Sequence, residues 1–115
     1  MFGSEVVDRL TGLCWQKTAD LIGKELTWSE ALAAVNEIDG TWRLPNINEL
    51  ESLVDCNRHS PALPRNHPFK HVREVYWSST TSMFEPDWAW TLYLTKGAVG
   101  VGQKRAAHFH AWAVR

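Results

Sequence analysis

One hundred and fifteen residues, 44% of them hydrophobic, make a chain the size of one domain, long enough to bury a substantial core. Apolar runs of only a few residues exclude a membrane-spanning helix, and the opening MFGSEVVDRL lacks the basic start and apolar core of a secretory signal, so no membrane insertion is expected. The net charge of −1 divides unevenly: residues 1–55 hold ten acids and four bases (−6), whereas residues 56–115 hold three acids and eight bases (+5) together with all five histidines.

EVVDRLTGLCWQ reads as a pair of short strands with a turn near Leu10 to Gly12. In LTWSEALAAVNEIDG, Thr27 and Glu30 form a capping-box pattern, and Trp28, Ala31, Leu32, Val35 and Ile38 make a helical stripe ending at Asp39-Gly40. TWRLPNINELESLV follows. Pro45 biases Leu44 towards extended backbone, Asn46 is a natural N-cap with Glu49 three residues on, and Ile47, Leu50, Leu53 and Val54 share one helical face. Arg43 suits an ion pair or a backbone clamp at this corner, with Glu49 or another carboxylate as its partner.

DCNRHSPALPRNHPFKH, with three prolines in eight residues, reads as a long irregular loop. VYWSST is a strand. DWAWTLYL alternates, placing Trp88, Trp90, Leu92 and Leu94 on one face and Ala89, Thr91 and Tyr93 on the other. Lys96-Gly97 makes a turn, AVGV another strand, and HFHAWAVR the last one, closing an antiparallel sheet. Strands, then two helices, then strands define an α+β domain without internal repeats, taken as a single unit over residues 1–115.

The chemistry-bearing residues are chiefly cations. Arg58, His59, Arg65, His67, Lys70, His71 and Arg73 lie in a stretch with no acid from 56 to 73, and Lys104, Arg105, His108 and His110 precede the last segment. Brought together and flanked by rings, they would suit sulfated or carboxylated glycans; left apart, they are a solvated loop. His108 and His110 alternate with Phe109 at a spacing that can hold a metal, but no carboxylate or cysteine lies near them in sequence, so neither metal nor cofactor is expected. Cys14 and Cys56 read first as small buried residues and second as a disulfide; a nucleophilic role would need a base that the sequence does not place nearby. Glu85-Pro86-Asp87 reads as a turn, since a calcium site would need further oxygen ligands. No phosphate loop, Ser-His-Asp order or paired catalytic carboxylates emerge, and the near-neutral charge argues against nucleic acid. Seven tryptophans spread along the chain suggest a core of large rings, with some as sugar platforms.

VVDRLTGLCWQK, TWSEALAAVNEIDGTWRLPNINELESLVD, YWSSTT, WAWTLYLTKGAV and the terminal AVR resemble the Lcl C-terminal domain family, named for the end domain of a bacterial collagen-like adhesin. The helix and RLP segment is also similar to the sulfatase-modifying, formylglycine-generating enzymes. That wider likeness implies a C-type-lectin-like fold: two capped helices on a small twisted antiparallel sheet, with a long irregular loop. The family resemblance implies a homotrimer binding sulfated glycans, placed outside the cell or in its envelope. Three departures stand out. Cys14 takes a position where the family often has Met, which raises a Cys14–Cys56 pair. Trp112 takes a position where the family usually has Arg, either as a core substitution or as a surface platform. The enzymes' Gly-Gly-Ser-Trp-like tail and catalytic cysteine pair are absent, so no catalytic activity is expected.

Together these readings lead to a non-catalytic domain binding an anionic polysaccharide or a cell-surface ligand. The ligand-binding residues would be Arg58, His59, Arg65, His67, Lys70, His71, Arg73, Lys104, Arg105 and Trp112. The alternative is a protein-binding display domain on the same frame, and an enzyme related to the sulfatase modifiers stands third.

Overall fold

Both helix entrances form as their local chemistry dictates. In the computed structural model, which describes residues 5–20, 22–38 and 41–115, Thr27 caps helix α1 (Trp28–Asn36) and Asn46 caps the short helix α2 (Ile47–Glu51). Each has a reciprocal capping box closed by the glutamate three residues on. Ala31 and Val35 of α1 are buried, as is Ile38 just beyond it; the expected stop at Asp39-Gly40 lies outside the described residues. The second helix is shorter than its apolar pattern suggests: Leu53 is buried beyond its end, and Val54 packs against the same core.

The opening hairpin pairs β1 (Glu5–Val7) with β2 (Cys14–Gln16), antiparallel, around a turn in which Gly12 takes φ +77°. A second sheet has the order β3 (Val75–Thr81), β4 (Trp88–Tyr93), β5 (Ala98–Gln103), antiparallel throughout. The domain is thus α+β, with two helices and two small antiparallel sheets among the described residues.

The three-stranded sheet is covered on both faces. Tyr76, Leu92 and Leu94 pack with Trp15, Leu50, Leu63 and Trp112, whereas Trp77 and Ala89 pack with Ala31, Val35, Trp42 and Leu44. The period-two reading of β4 therefore holds, but both of its faces are buried. The small Ala89 and Thr91 are fully covered, and Trp88 and Trp90 stay half-buried.

HFHAWAVR does not form the expected closing strand. It is an extended spine that makes isolated bridges: Phe109 to Leu26, His110 to Tyr76 in parallel, and Val114 to both Trp15 and Arg43. Cys14 and Arg115 exchange N–H···O bonds of 2.7 and 2.8 Å, as do Arg43 and Val114 at 2.9 and 3.0 Å. Along this spine side chains alternate between the two cores, Ala111 and Ala113 to one, Trp112 and Val114 to the other. A single strand pairing would satisfy one neighbour; the spine satisfies four segments at once.

Trp-Arg-Leu-Pro forms the junction between spine and second helix. The guanidinium of Arg43 donates from Nη1 and Nη2 to Oε1 and Oε2 of Glu49 at 2.6 and 2.7 Å, a two-pronged match of planar groups. That ion pair raises Arg43 and holds the Glu49 carboxyl below its ordinary range. The Pro45 carbonyl accepts from Ser79, and Ile47 N–H donates to Thr80 Oγ1, so the corner is fastened to β3.

Candidate functional site

The long loop is irregular in secondary structure but fixed in place. Ser60 and Ala62 N–H groups donate to the carbonyls of Thr95 and Leu94 at 2.9 and 2.7 Å, and Ala62 and Leu63 are buried. Further along, Lys70 bonds through its backbone to Lys17 and Ala19 at 2.9 and 2.7 Å, and the Phe69 ring meets Trp112 edge-on at 4.7 Å. The buried residues turn inward and the cations outward: Arg58, His59, Arg65, Lys70 and His71 are all exposed. His67 is half-buried, stacked on Phe69, with its Nδ1 accepting from the Phe69 N–H.

Arg73 differs from the other cations of the loop. Its Nε donates to Oδ2 of Asp20 at 2.7 Å; the Asp20 side chain is fully buried, and Asp20 Oδ1 accepts from Gly23 N–H at 3.2 Å. The Arg73 backbone N–H donates to the hydroxyl of Tyr76, a phenol that burial holds well above its ordinary pKa. Among the described residues the ion pairs are Arg73–Asp20, Arg43–Glu49 and Arg115–Glu5, which leaves Arg58, Arg65 and Lys70 without a carboxylate partner there.

Lys104 and Arg105 do not join the loop in one cavity. They line a depression with Asp87, where the Lys104 ammonium lies 4.0 Å from the centroid of Trp28 and donates to Thr81 Oγ1 at 2.9 Å. The two sequence groups meet instead through Arg73, which lines an open cleft of about 360 Å³ with His108 and His110. A neighbouring cleft of about 170 Å³ carries Arg73 and Glu74 on to Ser60 and Pro61.

Trp112 is not a surface platform. It is 1% exposed, its indole N–H donates to the Gln16 carbonyl at 2.9 Å, and its ring packs against Trp15 and Tyr76 as well as Phe69. Both cysteines are free, Cys14 half-buried and Cys56 exposed, so they form neither a disulfide nor the expected pair of buried thiols. Glu85-Pro86-Asp87 is the expected exposed turn, with the Glu85 carbonyl accepting from Trp88 N–H. Among the described residues no three His, Cys, Asp or Glu side chains stand close enough to hold a metal, and no helix is long and apolar enough to cross a membrane.

Sequence reasoning missed Asp20, Glu25 and Glu74, the acids that surround Arg73. It also missed an apolar groove of about 350 Å³ between the hairpin and the loop, lined by Val6, Leu10, Leu53, Pro64 and Phe69 among others. No local pattern marks either, because both are assembled from segments far apart in the chain.

The sequence model of the Lcl C-terminal domain family matches residues 4–115. The chain belongs to that family. A comparison with curated proteins finds no match.

Proposed function

We propose that this chain is a non-catalytic binding domain of C-type-lectin-like fold, which captures an anionic, sulfated or carboxylated polysaccharide on the outer face of the 56–73 loop. One observation carries the reading: Arg58, Arg65 and Lys70 stand exposed on a loop pinned at Ala62, Phe69 and Lys70, without a carboxylate partner among the described residues. A loop backbone already pinned need not be ordered when a polyanion binds, and unpaired cations need not exchange a partner. Arg73 contributes less, because its charge is shared with Asp20.

By the family likeness, the domain acts outside the cell or in its envelope, as a trimer. Retention on immobilised heparin, compared with a neutral-sugar matrix over a salt series, tests the ligand class. Salt-sensitive retention on heparin alone is expected, and equal retention on both matrices would overturn it.

A second reading, a protein-binding display surface, has its own observation. Met83 and Phe84 are 85% and 83% exposed at the turn between β3 and β4. Binding to a protein partner that survives high salt and is lost on Phe84→Ser would favour it.

A further inference from the structure

Loop and spine meet in a cleft whose charges are mixed, which is unsuited to a polyanion. Arg73, Glu25, Glu74, His108 and His110 line a single open cleft of about 360 Å³, towards the lower end of the range for small-molecule sites, about 300–1,000 Å³. The buried Asp20 carboxylate holds the Nε edge of the Arg73 guanidinium. Its two Nη groups, four N–H donors, have no hydrogen-bond partner among the described residues, and the side chain is 48% exposed. Glu25 and Glu74, which line the same cleft, are exposed and take part in no ion pair among the described residues. His110 is fixed by its backbone bonds to Val75 and Trp77.

These groups specify a ligand by elimination. Two unpaired carboxylates beside the guanidinium repel a chain of like charges, whereas its free Nη edge still offers donors to a single carboxylate. A metal ion is not served, because no three of these side chains converge on one point. An organic molecule carrying both charges meets both signs of charge in the cleft: its carboxylate takes the Nη fork in two parallel bonds, and its ammonium takes Glu25 or Glu74. We infer that this cleft binds a small zwitterion, a free α-amino acid, independently of the glycan surface on the outer face of the loop.

The test is calorimetric titration of the whole chain with a panel of free L-α-amino acids, followed by the N-acetyl and carboxamide derivatives of the tightest. At least one amino acid should give a saturable isotherm, with each blocked derivative about tenfold weaker or worse, because each loses one charge-assisted contact. Glu25→Gln and Glu74→Gln are exposed substitutions that leave the fold intact, and at least one should weaken the same amino acid about tenfold without altering the N-acetyl derivative. Arg73→Lys should weaken both, the ammonium lacking the planar fork. Silence across the panel overturns the inference, and so does an N-acetyl derivative that binds as well as the free amino acid.

Discussion

Arg73 and Asp20, 53 residues apart in the chain, are joined Nε to Oδ2 at 2.7 Å, with the carboxylate side chain fully buried and the guanidinium half in solvent. The bond ties the end of the long loop to the segment that follows β2. Arg73→Ala leaves a buried carboxylate with the Gly23 N–H as its remaining donor among the described residues. Losing one partner of a fully buried pair costs about 3–5 kcal/mol, and the exposure of Arg73 reduces the expected loss to about 2 kcal/mol. Urea unfolding of Arg73→Ala checks this; an unchanged midpoint would show that the bridge does not hold the loop.

Glu49 makes stability depend on pH in a definite direction. Its side-chain bonds to Arg43 depress the native pKa against an ordinary value of 4.5, and the Asn46 backbone N–H adds to the effect. Because the folded value lies below the unfolded one, the contribution is complete above about 4.5 and disappears as pH falls through the native value. Glu30, depressed by its capping bonds to Thr27, follows the same sign. Glu49→Gln keeps a capping side chain but loses the charge. It should cost about 1 kcal/mol at neutral pH and flatten the acid limb of the stability profile, read as melting temperature against pH.

Trp112 anchors the spine. Truncation to Ala empties a site walled by Trp15, Phe69 and Tyr76 and leaves the Gln16 carbonyl without its indole donor, for an expected loss of about 3–5 kcal/mol. Equilibrium unfolding measures it. A Trp112→Ala domain as stable as the native one would contradict the packing described here.

What the sequence disclosed was local. Asn46 with Glu49 and Thr27 with Glu30 are cap and partner three residues apart, so the helix entrances were legible; so was the alternation of Trp88 to Tyr93. The Arg43–Glu49 pair was legible for the same reason, six residues apart on one corner. The spine was not, because the partners of Val114 and His110 are Trp15, Arg43 and Tyr76, and an extended segment reads as a strand whether it has one neighbour or four. Nor was the burial of Trp112, since an indole suits a core or a sugar platform equally well until its N–H partner is known. The cations of the loop were readable as a group; that Arg73 belongs to Asp20 was not, with the two on remote segments.

The thiols provide a separate check. Cys56 is exposed and Cys14 half-buried on β2, both free. A thiol reagent should titrate two groups, Cys56 in a fast phase and Cys14 in a slower one, and reductant should leave the melting temperature unchanged. Absence of reactive thiols in the native and unfolded chain would indicate a bridge instead.

The account rests most heavily on the outer face of the loop. The most direct measurement compares the native chain with an Arg58→Ser, Arg65→Ser, Lys70→Ser variant by titration with heparin at low and high salt, alongside melting temperatures. Arg73 is left in place because its removal strands Asp20. The account predicts binding by the native chain that weakens as salt rises, and its loss in the variant at an unchanged melting temperature. Equal binding by the variant, or no binding by the native chain at low salt, would contradict it.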